Sequence, residues 1–168
     1  MTETSDPPSE VRILTGSLGT PDRLGVPDWL LPRLAARFGA TLAAEMAAFD
    51  APAPSDLRAN LLKATREEAR AALAAEGIAT VPTPFSPWGL RAEGRPPVTA
   101  SRAFRDGLVE IQDEGSQLIA AMADARPGMR VCDFCAGAAG KTLALAAVMG
   151  NRGQIVAADV SAARLEGA

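Results

Sequence analysis

The sequence predicts an α+β domain followed by the opening βαβ unit of an α/β domain. Between residues 28 and 125, helical apolar periodicity alternates with strand-like runs and with proline- or glycine-rich turns. From residue 126 onward, two continuous apolar runs flank one helical pattern, as expected of buried parallel strands joined by a helix. Hydrophobic residues make up 48% of the 168 residues, which favours a packed core.

Residues 1–27 are expected to form a solvated tail and a loop, because apolar pairs are few there. A helical pattern begins at Asp28, and Gly39 interrupts it, which predicts two helices with a kink. Trp29, like Trp88 further on, is expected to pack in the core or at an edge. The stripe that this helical segment should bury consists of Leu34, Phe38, Leu42 and Met46.

The region between residues 51 and 125 mixes strands and helices. Residues 56–63 predict a strand, in which Leu57, Ala59 and Leu61 alternate. Thr65 and Glu68 form a capping-box pattern at the start of a helix. Irregular edge strands are expected at 78–90 and a helix at 113–125, with a domain boundary near residue 125. The predicted domains are therefore 1–27, 28–125 and 126–168.

The stretch from residue 129 to 142 carries the main chemical signal. A short apolar run ends in small residues, and a helical pattern follows at once, so the sequence predicts a strand, a tight turn and a helix. Small residues allow a backbone to approach a ligand closely, and the helix start offers unpaired N–H groups to an anion. The candidate cofactor-binding residues are Cys135, Ala136, Gly137, Ala138, Ala139, Gly140 and Lys141.

An acid follows the second apolar strand. The strand at 155–158 ends at Asp159, about twenty residues after the glycine turn, where nucleotide-binding α/β folds hydrogen-bond a ribose. Asp159 could instead cap a helix entered at Ser161. The two features together predict a nucleoside-cofactor site.

Composition excludes several classes of protein. No apolar run is long enough to span a membrane, the acidic start does not fit a signal peptide, and two cysteines fit a reducing compartment, so a cytoplasmic protein is expected. Without histidine, imidazole bases and the usual metal sites are excluded, and no metal is expected. The net charge of −3 comes from the first ten residues, and the rest of the chain is neutral.

The segment from Asp133 to Thr142 resembles the cofactor turn of the Sun-type (RsmB-like) RNA cytosine-5 methyltransferases, commonly Asp-x-Cys-Ala-Ala-Pro-Gly-Gly-Lys-Thr. Two upstream segments are similar to that family, residues 57–63 to a strand of its RNA-binding domain and residues 111–118 to the connection between its domains. The Ala-Asp pair ending at Asp159 matches its ribose-contacting acid. One departure is that Gly137, Ala138 and Ala139 stand where the family usually has Ala, Pro and Gly.

The resemblance implies an α+β RNA-binding domain followed by the start of a Rossmann-like methyltransferase domain. It implies that backbone N–H groups from Cys135 to Lys141 cradle the methionine end of S-adenosylmethionine and that Asp159 holds the ribose hydroxyls. It also implies methyl transfer to carbon 5 of a cytosine in RNA, with ribosomal (16S) RNA as the expected partner. Asp133 is expected to orient the turn.

The cysteines that the chemistry requires are not recognisable in these 168 residues. Carbon 5 of cytosine becomes nucleophilic only after a thiolate adds to carbon 6. In the family, that thiolate belongs to a Thr-Cys motif, and a Pro-Cys motif aids product release. Here Cys132 follows Val131 and Cys135 follows Phe134. The catalytic cysteines are therefore expected beyond residue 168, and the chain as given is expected to be inactive.

The sequence is compatible with several alternatives. Cys132 and Cys135 could form a redox or metal pair, although Cys132 is expected to point into the sheet. Lys141 and Thr142 resemble the end of a phosphate-binding P-loop, but the first glycine of that pattern falls on Cys135. A P-loop nucleotidase and a non-catalytic RNA-binding or interaction module are thus the rival functions. Arg164 could lie near the cofactor or in solvent. An RNA-contacting cluster could be formed by Arg91, Arg95, Arg102 and Arg105.

Overall fold

The computed structural model describes residues 25–166. The chain forms two compact units, and the boundary in the sequence lies between Pro52 and Ala53. In the first unit, helix α1 (Leu31–Phe38) passes through a 3-10 turn (Gly39–Thr41) into helix α2 (Leu42–Asp50). Gly39 has a φ of 52°, which glycine adopts without strain, so the predicted kink is confirmed. The predicted tail and most of the predicted loop that follows it lie outside the described residues, which begin at residue 25.

The hydrophobic stripe of the first unit is only partly as predicted. Leu42 and Met46 are buried, and Leu34 and Phe38 are half-buried. Trp29 is 70% exposed, so its assignment to the core or to an edge was wrong. It lies in a turn before α1 begins, outside the helical register that turns the apolar positions inward.

The second unit begins with a four-stranded antiparallel sheet in the order β2-β3-β1-β4. Its strands are β1 (Ser55–Ala59), β2 (Thr80–Pro82), β3 (Gly89–Ala92) and β4 (Val109–Ile111). Its helices are α3 (Arg66–Ala75), α4 (Arg102–Arg105) and α5 (Glu114–Met122), with a 3-10 turn at Val98–Ala100. Helix α3 thus connects β1 to β2, and α4 connects β3 to β4. The sequence pattern did not predict β4.

Helix α3 begins where the capping box predicts. The Glu68 N–H donates to Thr65 Oγ1 at 3.2 Å, and the Thr65 N–H donates to Glu68 Oε2 at 2.8 Å. Both hydrogen bonds satisfy N–H groups that the first turn would otherwise leave without partners. The prediction for this helix start is confirmed.

Strand β1 is shorter than the predicted strand at 56–63. It ends at Ala59, because Asn60 starts a turn in which its Oδ1 accepts from the Leu62 N–H at 3.2 Å. The Asn60 Nδ2 also donates to the carbonyl of Gly107 at 2.9 Å, which fixes the turn. Local hydrogen bonding by asparagine therefore overrides the alternation that included Leu61.

Both faces of β1 are covered. Leu57 and Ala59 belong to an apolar core that also contains Leu73 of α3 and Leu90 of β3. The alternate residues Asp56 and Arg58 point to the opposite face and are buried too, at 3% and 1% exposure. Buried charges of this kind require partners, and the candidate site below depends on them.

The remainder of the second unit is a βαβ unit, as predicted. Strand β5 (Arg130–Asp133) pairs in parallel with β6 (Gln154–Ala157) through α6 (Gly140–Val148), and α7 (Ala162–Glu166) follows. The predicted boundary near residue 125 falls between α5 and β5 and stays a prediction. Between residues 25 and 166, no helix has both the length and the apolar character needed to cross a membrane.

Candidate cofactor site

The candidate site lies where β5 ends and α6 begins, beside the end of β6. The Ala136 N–H donates to the carbonyl of Ala158 at 2.9 Å, and the Ala158 N–H donates to the carbonyl of Asp133 at 2.8 Å. These two bonds continue the pairing of the strands past their ends. The turn is thereby fixed at the carboxyl edge of the parallel sheet, where open α/β sheets bind ligands.

The N–H groups of the turn fall into two classes. Those of Ala136 and Ala139 donate to backbone carbonyls, and that of Gly137 donates to Asp159. Within the described residues, the N–H groups of Cys135, Ala138, Gly140 and Lys141 have no hydrogen-bond partner. Four of the seven predicted turn residues thus have free donors at or just before a helix N-terminus, where a negative charge is stabilised.

The turn has two residues in the left-handed conformation, Gly137 with a φ of 55° and Ala139 with a φ of 60°. Glycine adopts this conformation freely, whereas alanine is strained by its Cβ. Ala139 occupies the position at which the resembling family usually carries glycine. At this departure from the family motif, alanine holds a conformation that glycine would adopt without strain.

Asp133 stabilises the turn through a hydrogen bond with Thr142. It is buried, and its Oδ2 accepts from the Thr142 hydroxyl at 2.7 Å. This bond joins the last residue of β5 to the first turn of α6 across the whole length of the turn. The observed contact of Asp133 is therefore with another residue of the protein, as expected of a residue that orients the turn.

Asp159 bridges the turn and the chain that follows β6. Its Oδ1 accepts from the Ser161 N–H and its Oδ2 from the Gly137 N–H, each at 2.9 Å. These N–H groups, Ser161 first and Gly137 second, hold the pKa of Asp159 below its usual value. The carboxylate lies close to the turn and caps the segment that follows β6, as the alternative interpretation expected, while its contact with a ribose stays a prediction.

The two cysteines are both exposed and both free. The expectation that Cys132 points into the sheet was wrong, because its side chain is exposed and no element among residues 25–166 covers that face of β5. Among residues 25–166, no group of three or more histidine, cysteine or acidic side chains is placed to hold a metal ion.

Three of the four clustered arginines are held by internal partners. Arg91 forms two bonds with the Asp56 carboxylate, at 2.7 and 2.8 Å. Arg95 donates to the carbonyl of Ala53 at 3.1 Å, and Arg102 to Asp106 at 3.1 Å. Arginines that already bind internal partners are less available to RNA phosphates. These contacts therefore give little support to the prediction that the cluster binds RNA.

One residue close to the turn was missed by the sequence analysis. The Nε2 of Gln112 lies 3.3 Å from the position that a Cβ on Gly140 would occupy. Gln112 is buried and comes from the segment between β4 and α5. The resemblance at residues 111–118 marked this segment, but no periodicity predicts a side-chain contact across 28 residues of chain.

Several known proteins are similar to this chain. Residues 26–99 match the family model described as Methyltr_RsmF/B-like, ferredoxin-like domain. The probable ribosomal RNA small subunit methyltransferase B of Synechocystis sp. is 34% identical over 152 residues, which are 89% of this chain and 34% of that protein. The corresponding protein of Bacillus subtilis is 30% identical over 80% of this chain and 30% of its own length. The chain thus spans about a third of the length of these relatives.

Solved structures show the same fold. A methyltransferase homologue from Pyrococcus horikoshii superposes with a TM-score of 0.78 at 30% identity, over 86% of this chain and 48% of that one. NSun6 from Pyrococcus horikoshii, solved with SFG, gives a TM-score of 0.73 at 18% identity, over 84% of this chain and 60% of that one, and supports the fold alone. The chain belongs to the Sun-type, RsmB-like methyltransferase family and corresponds to its N-terminal region.

Proposed function

We propose that this chain provides the RNA-binding domain and the S-adenosylmethionine-binding turn of an RNA cytosine-5 methyltransferase that acts on small-subunit (16S) ribosomal RNA. The observation that carries the proposal is the combination of free N–H groups and a carboxylate. The donors of Ala138, Gly140 and Lys141 lie at the start of α6, and the Asp159 carboxylate lies beside them at the end of β6. S-adenosylmethionine presents a carboxylate on its methionine part and two hydroxyls on the ribose that lies between the sulfonium and the adenine.

The methionine carboxylate and the ribose hydroxyls each have a complementary partner in this chain. The free N–H groups donate to the methionine carboxylate, and the partial positive charge of the helix start stabilises it. Asp159 accepts from the ribose hydroxyls and keeps its bond with the Gly137 N–H, since an ionised carboxylate has about four acceptor positions. The side chains of Cys135 and Lys141 are not required for either interaction, because the backbone supplies the donors.

The chemistry assigns a limited part to this chain. Bound S-adenosylmethionine supplies a methyl group activated on a sulfonium. The residues of the turn bind and orient it, and Asp133 fixes the turn through Thr142. Attack by carbon 5 of cytosine needs a thiolate on carbon 6, and neither Cys132 nor Cys135 lies in a Thr-Cys or Pro-Cys motif. The 168 residues alone are therefore not expected to transfer a methyl group.

The substrate class follows from the relatives. The proteins that match over most of this chain are named for methylation of small-subunit ribosomal RNA. The NSun6 structure holds SFG, an analogue of S-adenosylmethionine, so one protein of this fold binds a ligand of that type. The matched ferredoxin-like domain, residues 26–99, is the part proposed to contact RNA.

Calorimetric titration of the protein with S-adenosylmethionine, and separately with Mg-ATP, tests the proposal. Saturable binding of S-adenosylmethionine is expected, and Asp159→Ala should weaken it strongly while Asp124→Ala, an exposed acid outside the turn, leaves it unchanged. Binding of Mg-ATP alone would instead support a P-loop nucleotidase. RNA binding without affinity for either nucleotide would support the non-catalytic module and contradict the cofactor site.

A further inference from the structure

A chain of buried polar contacts leads from the four-stranded sheet to the cofactor turn. The Arg58 Nη2 donates to Glu110 Oε2 at 2.6 Å, and the Arg58 Nε donates to Gln112 Oε1 at 2.7 Å. Arg58 is 1% exposed, and its burial lowers its pKa although the Glu110 carboxylate favours the charged form. A buried guanidinium of this kind needs both acceptors, so Gln112 is held firmly.

The backbone of Gln112 is fixed as well. Its N–H donates to the carbonyl of Asp56 at 3.1 Å, and its carbonyl accepts from the Gln117 Nε2 at 2.8 Å. Gln117 is fully buried and also donates to the carbonyl of Leu57 at 3.1 Å. Gln112 is therefore fixed at three points, all of them on β1 or α5, and has little freedom to change its rotamer.

Arg58 decides which way the amide of Gln112 faces. A guanidinium can only donate, so the Oε1 must face Arg58 and the Nε2 must face away from it. The Nε2 points to the cofactor turn, 3.3 Å from the place where a Cβ on Gly140 would lie. Within the described residues, this Nε2 has no hydrogen-bond acceptor. Gly140 leaves the space that the amide occupies, and its own N–H is one of the free donors of the turn.

We propose that Arg58 and Gln112 are positioning residues for the cofactor turn, so that the affinity for S-adenosylmethionine depends on a contact made by the RNA-binding sheet. The inference rests on the proposed function only for the identity of the ligand. Gln112 packs against Gly140 and fixes the position of the helix start whose N–H groups receive the cofactor. Because β1 and β4 carry Arg58 and Glu110, a shift of this sheet displaces Gln112 and with it the turn.

A double-mutant cycle between Gln112 and Gly140 tests the contact in the protein as its native gene encodes it. Gly140→Ala places a methyl group against the Gln112 amide and should weaken S-adenosylmethionine binding about tenfold, measured by calorimetric titration. Gln112→Ala in the same protein removes the obstruction, so the double variant should bind no more weakly than Gln112→Ala alone. A purely structural role for Gln112 predicts that the two substitutions weaken binding additively, since neither would relieve the other.

Gly115→Ala is the matched control. Gly115 also lies in a helix, and an added Cβ would approach only Asp113, at 3.1 Å, away from the turn. It should leave the affinity for S-adenosylmethionine unchanged. Equal weakening by Gly140→Ala with and without Gln112→Ala would overturn the proposal.

Amide hydrogen exchange separates failure of this inference from failure of the proposed function. In the unliganded protein, Gln112→Ala should speed exchange of the Leu143 amide, whose hydrogen bond to the Ala139 carbonyl closes the first turn of α6, whether or not a cofactor binds. If the wild-type protein does not bind S-adenosylmethionine but this acceleration is seen, the ligand assignment is wrong and the positioning contact stands. Unchanged exchange together with an unchanged affinity in Gln112→Ala would refute the contact itself.

Discussion

The two sheets of the second unit differ in how their strands are covered. In the four-stranded sheet, β1 lies between β3 and β4 and is buried from Asp56 to Ala59 on both faces. In the two-stranded sheet, β6 has β5 as its only neighbour in the described part of the chain, and Val156 remains 50% exposed. The sequence predicts β1 from alternating apolar residues and β6 from a continuous apolar run, so within the described residues the local pattern predicts each strand but not how deeply it is buried.

The four-stranded sheet and the turn between β5 and α6 also differ in where their charges lie. The covered sheet contains charged side chains in its interior, Asp56 and Arg58, each with named partners. The turn between β5 and α6 instead offers free N–H groups next to the carboxylate of Asp159. Satisfied polar groups stabilise the first region, while unsatisfied donors make the second region a binding site.

The largest expected difference between the two sheets comes from their arginines. Arg58→Ala removes a buried cation and leaves Glu110 and Gln112 without their donor, so the free energy of unfolding should fall by about 3–5 kcal/mol. Arg130→Ala in β5 removes only an exposed bond to Gln154 and should change it by less than about 0.5 kcal/mol. Urea unfolding followed by circular dichroism measures both. Similar losses for the two variants would contradict the difference in burial.

Apolar truncations should separate the sheets almost as clearly. Leu57 is 1% exposed, so Leu57→Ala should lower the free energy of unfolding by about 2–5 kcal/mol through lost contacts and a cavity. Val156→Ala in β6 removes a side chain that is half exposed and should cost less than about 1 kcal/mol. The same unfolding measurement serves as the readout, and a large cost at Val156 would show that β6 is covered.

A substitution in the turn should have the opposite sign. Ala139→Gly relieves a left-handed alanine and should raise the free energy of unfolding by about 1 kcal/mol. The same change inside α6, Ala146→Gly, should lower it by about 1 kcal/mol because glycine weakens a helix interior. Thermal unfolding of the two variants gives the comparison, and destabilisation by Ala139→Gly would contradict the strain at this position.

The smallest expected effect is the pH dependence of the turn. The pKa of Asp159 is lowered in the folded state, so its bonds to Ser161 and Gly137 stabilise the fold above the unfolded pKa of about 3.9. That contribution should be lost as the pH falls through the lower folded pKa. The difference in melting temperature between the wild type and Asp159→Asn, measured from neutral to acidic pH, should therefore shrink in acid. A constant difference would contradict the role of the ionised carboxylate.

Much of the fold was predictable because it depends on local rules. The capping box at Thr65, the interruption at Gly39 and the order of strand, turn, helix and strand around the cofactor turn are all confirmed. The end of β1 was placed too late because Asn60 forms a local turn. Trp29 and Cys132 were predicted to point inward, but both are exposed, and no element in the described part of the chain covers either side chain.

The sequence by itself determined the type of unit at residues 129–159, because small residues, apolar periodicity and an acid at the end of a strand are local properties. It also determined the family, through motifs that are contiguous in the chain. Only the tertiary structure decided which N–H groups of the turn remain free, that Arg91 pairs with Asp56, and that Gln112 reaches Gly140. These contacts join residues far apart in sequence, and their distances depend on how the sheets and helices pack rather than on any local preference.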